Sequence, residues 1–230
     1  ATAQSSHLSS VVTQLLDFEK VDAGKGQLFL VMIDIVKLVS QRRLMFETNA
    51  SKKNIKITYS SNQESYITGI DVLKIEKVID NLISNAIKYS HHNSNIEVSL
   101  LCKDDLWNLE VKDYGMGIPE NAKSKLFKEF YRGDNVENSR IVGSGIGLLL
   151  VKSYVSMHGG RVFLESKENL GSTFNIRIPY IEVKEPISQT DFPKIRCDFI
   201  PENQIENQTP RIKEEEKNKK KNIHLLIVED

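Results

Sequence analysis

The sequence has little of what marks disulfide-rich, nucleic-acid-binding or membrane-spanning proteins. Only two of its 230 residues are cysteines, Cys102 and Cys197. Because they lie far apart, they indicate neither a disulfide framework nor a zinc site, and they fit a reducing compartment. Lysine and arginine together number 31, as do aspartate and glutamate, so no overall charge indicates a nucleic-acid or membrane partner. No apolar run is long enough to cross a bilayer, and no stretch has the pattern of a signal peptide.

The composition changes along the chain and divides it into four segments. Residues 1–24 carry apolar side chains at helical spacing, and residues 25–180 mix helix and strand patterns as one domain would. Residues 181–222 contain four of the six prolines and end in the run KEEEKNKKKN, which is typical of a flexible linker. Residues 223–230 begin a new apolar strand. Since no methionine opens the chain and this last strand is cut short, we expect both ends to continue in a longer protein.

The stretch 71–90, DVLKIEKVIDNLISNAIKYS, predicts a long amphipathic helix. Its apolar residues recur at steps of three and four, and Asp71 stands where an N-cap begins such a helix. The opposite face carries Asn81, Asn85 and Lys88 one above another. Two amides and an ammonium in a line offer oxygen ligands and a positive charge together, which suits a metal–phosphate pair. A solvated polar face is the alternative at this point.

Two glycine-rich turns follow this helix. Residues 113–117 read Asp-Tyr-Gly-Met-Gly at the end of a predicted strand, where glycines let the backbone approach a ligand. The Asp113 carboxylate could accept a hydrogen bond from an exocyclic amine such as that of adenine, although an ordinary turn aspartate is the alternative. Residues 143–148, Gly-Ser-Gly-Ile-Gly-Leu, open a predicted helix, and N–H groups at a helix start favour anions. Their spacing matches neither the dinucleotide-binding nor the P-loop pattern.

The remaining periodicity predicts the other elements. Strands are expected over 27–32, 54–60, 65–70, 95–101, 106–113, 161–166 and 172–179, with the fourth and fifth paired as one hairpin and the last two as another. Helices are expected over 34–53, around 121–127 and over 144–158. The polar segment 132–140 has almost no apolar content, which predicts a mobile loop.

The order of these motifs resembles the ATP-binding domain of sensor histidine kinases, in the superfamily shared with gyrase, mismatch-repair ATPases and a heat-shock chaperone. NLISNAIKYS is similar to the family's asparagine box, DYGMGI to its first glycine box, LFKEFYRGD to its phenylalanine box, GSGIGLLLVK to its second glycine box and GSTF to its closing glycine motif. The resemblance extends over about residues 8–179. It implies an α/β fold, a two-layer sandwich of a mixed sheet with helices on one face, preceded by a partial dimerisation helix in residues 1–24.

The resemblance implies that individual residues bind ATP and Mg²⁺. Asn85 would ligate the metal, and Asn81 would line the same pocket. Lys88 would face a phosphate, and Tyr89 would flank the base or the ribose. Asp113 would accept a hydrogen bond from the adenine amine. The glycine boxes, the lid between them and the closing motif would complete the site through Gly115, Gly117, Ile118, Arg140, Gly143, Ser144, Gly145, Ile146, Gly147, Leu148 and Thr173.

The residue that would receive the phosphoryl group is missing from the sequence. The family's phosphoacceptor is a histidine followed by an acidic residue and then Arg-Thr-Pro, and no such string occurs here. No catalytic residue is therefore assigned within this chain. Residues 223–230 resemble the first strand of a response-regulator receiver domain. A kinase domain followed by a receiver implies a hybrid histidine kinase, which moves the γ-phosphoryl group of ATP to an upstream histidine and then to a downstream aspartate.

The resemblance also implies partners and a location. The partners would be ATP, the protein's own dimerisation and receiver domains, and a second copy in a homodimer, with no nucleic acid bound by this part. The domain would lie in the cytoplasm as part of a membrane-anchored bacterial sensor. The alternative function is a non-catalytic ATP-binding module that regulates or scaffolds a dimer.

Overall fold

A computed structural model of the chain describes residue 12, residues 27–123, residue 126 and residues 145–183. These residues belong to the first of two units into which the chain divides, Ala1–Asp191, whereas the second, Phe192–Asp230, lies outside them. Most of the predicted dimerisation helix, most of the predicted linker and the whole predicted receiver strand are therefore still predictions. Within the described ranges, no helix is long and apolar enough to cross a membrane.

The described elements include both strands and helices along the whole of the described chain. In order they are β1 (Val31–Asp34), α1 (Ile35–Met45), α2 (Glu47–Ser51), β2 (Lys56–Ser61), β3 (Ile67–Ile70), α3 (Val72–Tyr89), β4 (Asn95–Cys102), β5 (Leu106–Asp113), α4 (Glu120–Lys123), α5 (Gly147–Met157), β6 (Arg161–Lys167) and β7 (Gly171–Pro179).

Five strands form one mixed sheet in the order β2–β4–β5–β7–β6. β2 and β4 run parallel, and every other neighbouring pair in this sheet is antiparallel. Both predicted hairpins are present, as β4–β5 and β6–β7. Since side chains alternate between the faces of a strand, β4 and β5 bury every second residue on one face. That face carries Trp107, Leu109 and Val111 of β5 and forms half of the core.

α3 supplies the central part of the helical layer on this face. Its buried residues are the predicted stripe Ile75, Val78, Ile79, Leu82, Ile83, Ala86 and Ile87. Each fully buried isoleucine contributes about 1.5–3 kcal/mol of hydrophobic stabilisation, so the stripe fixes which face of α3 turns to the sheet. The Asp71 carboxylate accepts a hydrogen bond from the N–H of Lys74 at 3.2 Å, which confirms the predicted N-cap. The mixed sheet with helices on one face confirms the predicted α/β sandwich.

The predicted helix over 34–53 is wrong in its length, because the chain forms two helices there. Phe46, at φ −96° and ψ −5°, ends α1 and turns its N–H back to the carbonyls of Arg43 and Leu44. The start of α1 is fixed by the Asp34 carboxylate, which accepts from the N–H groups of Val36 and Lys37. The periodicity could not reveal the break because α2 has a single apolar residue, the buried Ala50, and so no apolar spacing of its own.

β1 and β3 form a second, two-stranded antiparallel sheet. Residues 181–183 lie against it, and the N–H of Gly69 donates to the carbonyl of Ile181 at 2.7 Å. The N–H of Ile181 in turn donates to the hydroxyl of Thr68 at 3.2 Å. The first three residues of the predicted linker therefore contact the folded domain, which extends to residue 183 at least.

Candidate functional site

The polar face of α3 lies against the start of α5. Asn81 is half-buried, and its side-chain nitrogen donates to the carbonyl of Lys77 at 2.8 Å. Its side-chain oxygen points at Gly147, where a Cβ atom would overlap it. Only glycine fits at this first position of α5 without displacing Asn81. The asparagine helix and the second glycine motif, 66 residues apart in the sequence (147 − 81), therefore meet in one place.

Asn85 and Lys88 continue the polar face toward the end of α3. Both side chains are half-buried. Among the described residues, none forms a hydrogen bond with the Asn85 amide. The Lys88 ammonium lies 4.9 Å from the centroid of the Tyr89 ring. Because successive helical turns repeat every 5.4 Å, Asn81, Asn85 and Lys88 form a line of polar groups that runs from α5 toward the first glycine motif.

The first glycine motif is held against the last turn of α3. Ser90 and Gly115 form an antiparallel bridge, and the N–H of Met116 donates to the carbonyl of Tyr89 at 3.2 Å. A Cβ atom at Gly115 would overlap that same Tyr89 carbonyl. Gly117 has a φ of +62°, which L-residues rarely adopt. Gly115 therefore lets main chain approach main chain where α3 ends, and Gly117 does so at the carbonyl of Lys167, where β6 ends.

Asp113 is a buried carboxylate at the end of β5, with 5% of its surface exposed. The N–H of Gly115 donates to one carboxylate oxygen at 3.0 Å, and the main chain of Ser172 donates to the same group. Burial raises the pKa of Asp113 to about 6, although these hydrogen bonds and the nearby charge of His91 lower it. Asp113 is therefore a hydrogen-bond acceptor above pH 6 that is already oriented by the main chain.

The strand register brings Ser172, and not Thr173, beside Asp113. β5 and β7 pair Asp113 with Ser172 and Lys112 with Thr173. Because paired residues share a face and neighbours alternate, Thr173 lies on the opposite face of the sheet from Asp113. Ser172, and not the predicted Thr173, is therefore the residue of this motif that lies beside Asp113. The sequence shows two adjacent hydroxyl residues after Gly171, and only the pairing register distinguishes them.

Ser166 of β6 connects Ser172 to the first glycine motif. Its hydroxyl lies 2.9 Å from the Ser172 hydroxyl and accepts from the N–H of Ile118, also at 2.9 Å. The Ile118 side chain packs against the hydrophobic core. Ile118 therefore contributes its main chain to this hydrogen-bonded group. Sequence patterns gave no signal for Ser166, and they did not distinguish Ser172 from its neighbour in the GSTF motif.

The second glycine motif is described from Gly145 onward. Ile146 is buried and Leu148 packs against the core, so their side chains hold the start of α5 in place. The N-cap residue of α5 is Ile146, whose apolar side chain cannot accept a hydrogen bond from the first turn of the helix. Gly143, Ser144 and the predicted lid, residues 132–142 with Arg140, lie outside the described residues, and their roles stay predictions.

Comparison with known proteins identifies a family for the segment that contains the asparagine helix and both glycine motifs. Residues 70–182 match the family model described as "Histidine kinase-, DNA gyrase B-, and HSP90-like ATPase". This segment of the chain belongs to that ATPase family. The sensor histidine kinase WalK of Bacillus subtilis is 34% identical over 177 residues, which cover 76% of this chain and 29% of that protein. Hybrid signal transduction histidine kinase D of Dictyostelium discoideum is 32% identical over 178 residues, which cover 75% of this chain and 11% of that protein.

A solved structure gives the same assignment for the ATPase domain. The catalytic domain of histidine kinase ThkA is 26% identical, with a TM-score of 0.59, over 66% of this chain and 96% of that one. The domain is therefore homologous to the catalytic ATP-binding domain of histidine kinases, as the motifs predicted. The chain spans less than a third of the length of the two curated kinases it matches.

The ATPase domain offers one amide oxygen for a metal ion. Among the described residues, no group of three or more histidine, cysteine, aspartate or glutamate side chains is placed to hold a metal. The Asn85 amide fits Mg²⁺ that takes its other ligands from nucleotide phosphates and water, which is how proteins commonly bind magnesium nucleotides. A carboxylate at this position would repel the triphosphate.

Proposed function

We propose that this chain contains the catalytic ATP-binding domain of a hybrid two-component sensor histidine kinase. Its complete form would transfer the γ-phosphoryl group of ATP to a histidine upstream and then to a receiver aspartate downstream. One observation supports this most strongly. A single helix, α3, contacts the start of α5 through Asn81 and the first glycine motif through the carbonyl of Tyr89, next to the buried carboxylate of Asp113.

We propose that the adenine end of the pocket is formed by Asp113 and the turn that follows it. The ionised carboxylate would accept a hydrogen bond from the exocyclic amine, while Gly115 and Gly117 would hold the turn beside it through their close main-chain contacts. Ser172 would stand beside the carboxylate, since both lie on the same face of the sheet. This arrangement distinguishes adenine from guanine, whose carbonyl at the same position would face a negative charge.

We propose that the phosphate end of the pocket lies between α3 and α5. Lys88 would offer positive charge, and the N–H groups at the start of α5 would donate to phosphate oxygens. Mg²⁺, when bound with ATP, would neutralise part of the phosphate charge. Asn85 would hold the metal through its amide oxygen. The contribution of the chain is then positioning and electrostatic stabilisation, as in other phosphoryl transfers.

The partners and the cellular location of the complete protein are also proposals. The complete protein would form a homodimer through its upstream helices and would present this domain to the cytoplasm from a membrane-anchored sensor. A non-catalytic ATP-binding module is the second candidate, because the present chain has no phosphoacceptor motif.

Labelled ATP distinguishes the two candidates. A longer chain that includes the upstream helix should incorporate acid-labile phosphate from γ-labelled ATP, whereas the 230-residue chain alone should incorporate none. A longer chain that binds ATP and carries a candidate phosphoacceptor but gains no phosphate would favour the regulatory module. Phosphohistidine on the present chain would contradict the assignment of the phosphoacceptor to the upstream segment.

A further inference from the structure

The last turn of α3 has an unusual cap. A helix leaves its final carbonyls without partners inside the helix, and many helices end at a glycine in the left-handed conformation. α3 instead ends at Ser90, which is extended with φ −68° and ψ 150°. The carbonyl of Ala86 accepts from the N–H of Ser90 at 3.0 Å, and that of Tyr89 accepts from Met116. Two carbonyls between them, those of Ile87 and Lys88, need another donor.

Lys53 supplies that donor from a different part of the chain. Its ammonium lies 2.9 Å from the carbonyl oxygen of Ile87 and 2.9 Å from that of Lys88. These are charge-assisted hydrogen bonds, which are stronger than neutral ones. The ammonium also lies at the negative end of the α3 dipole, where a positive charge is favourable. All four final carbonyls of α3 are thereby paired.

The backbone of Lys53 is itself fixed on both sides. Its N–H donates to the carbonyl of Ala50, and its carbonyl accepts from the N–H of Asn93, both at 3.0 Å. The neighbouring Asn54 and Asn93 have φ values of 54° and 57°, and their side chains are hydrogen-bonded to each other at 3.1 Å. The ammonium therefore reaches α3 from an anchored loop and not from a freely moving one.

We propose that Lys53 is a positioning residue for nucleotide binding, and this inference rests on the proposed function. Lys53 acts through the main chain of α3: it holds the turn that presents Lys88 and Tyr89 and that keeps the Tyr89 carbonyl against the first glycine motif. Without the ammonium, two adjacent carbonyls lose their donor next to the first glycine motif. The turn then shifts so that water can donate to these carbonyls, and Lys88 and Tyr89 leave their positions in the pocket.

The test is a calorimetric titration with Mg-ATP of the whole chain and of matched variants, at a temperature well below every melting point. Lys53→Met keeps the aliphatic stem and removes the ammonium. Because hydrogen bonds to charged groups are worth more than neutral ones, we expect Mg-ATP binding to weaken about five- to tenfold. Lys53→Arg, which can donate to both carbonyls, should recover binding to within about twofold. Lys52→Met removes the same charge from the exposed neighbouring residue and should leave the dissociation constant unchanged.

Each other result overturns the inference. If Lys53→Met melts earlier but binds Mg-ATP as the unmodified chain does, Lys53 is only a helix cap. If Lys52→Met weakens binding equally, the effect is general loss of charge. Should Lys53→Met not fold, Lys53→Gln keeps one donor and should show intermediate affinity, and unchanged affinity would refute the inference. If the unmodified chain does not bind Mg-ATP, both the proposed function and this inference are refuted. If the unmodified chain binds Mg-ATP and Lys53→Met binds it equally well, only this inference is refuted.

Discussion

Asp113, the proposed acceptor for the adenine amine, is a buried carboxylate whose charge lowers the stability of the fold. Its pKa is raised to about 6 because burial disfavours the charged carboxylate. The folded chain therefore holds this proton more tightly than the unfolded chain, whose aspartate titrates near 3.9. Protonation stabilises the fold as the pH falls from about 6 to 4, and above pH 6 the buried charge costs folding free energy.

We therefore predict that Asp113→Asn raises the melting temperature at pH 7.5, by about 2–5 °C. The amide can still accept from the N–H of Gly115, and it removes the buried charge. Thermal unfolding at pH 7.5 and at pH 4.5 measures the effect, and the difference between the two proteins should shrink at the lower pH. A variant that is less stable than the unmodified chain at pH 7.5 would contradict this account of Asp113.

Gly147 provides a second residue-scale prediction, because it has no room for a side chain beside Asn81. Gly147→Ala should push the Asn81 amide aside and weaken Mg-ATP binding about fivefold, as expected for coupled neighbouring residues. In a chain that already carries Asn81→Ala, the same change should have less than about a twofold effect, because the displaced group is gone. Dissociation constants of the four proteins form the cycle, and additive effects would show that the contact does not matter for binding.

Prediction from the sequence missed those residues whose position depends on contacts between distant segments. Asp113, Asn81 and Asn85 could be proposed from the sequence because their motifs are local in it. Ser172 was missed because its place next to Asp113 depends on the register of β7 against β5. Lys53 was missed because it contacts α3 from 34 residues away, and a lysine in a turn carries no signal of such a contact.

At the scale of elements, periodicity predicted the existence of the long helix and of the strands better than the residues at which each element begins and ends. α3 was predicted over 71–90 and spans Val72–Tyr89 with Asp71 as its cap. The first strand was expected over 27–32 and lies at Val31–Asp34. Its position is set by pairing with β3, where Val31 faces Ile70, and such pairing cannot be read from one short apolar run.

His158 connects the end of α5 to the start of α3. Its Nε2 accepts from the N–H of Asp71 at 3.0 Å, so its Nδ1 carries the hydrogen and donates to the carbonyl of Tyr154 at 2.7 Å. Burial lowers the pKa of His158 below its ordinary value, although the hydrogen bond to the Tyr154 carbonyl and, after it, the charge of Asp71 act in the opposite direction. The neutral ring is therefore the form that holds the two helices together.

We predict that His158→Gln destabilises the domain at pH 7.5 by about 1–3 kcal/mol, because buried partners lose their hydrogen bonds. The unfolded histidine binds a proton near pH 6.5 that the folded one binds less readily, so the stabilisation by His158 is present above that pH and is lost as the pH falls. Denaturant unfolding at pH 7.5 and pH 5.0 should thus give a smaller difference between the two proteins at pH 5.0. An equal difference at both pH values would contradict a neutral structural role.

For the whole molecule, the described residues form an ATPase domain whose motifs meet around one helix. The sequence order of the motifs was sufficient to identify the family, because each motif is a short local signal. How the domain acts on a histidine depends on segments beyond the described residues, and it is a proposal here. What we propose for the domain itself is that it binds Mg-ATP with the base at Asp113 and the phosphates near Asn85.

The most direct measurement of that claim is a calorimetric titration of the chain with Mg-ATP, beside the same titration of Asp113→Asn. The account predicts one nucleotide per chain, with binding weakened at least about tenfold in the variant, since a hydrogen bond to a buried charged group is worth about 1.5–3 kcal/mol. The melting temperature of Asp113→Asn at the same pH serves as the control for folding. No binding by the unmodified chain, or equal affinity in a folded Asp113→Asn, would contradict the account.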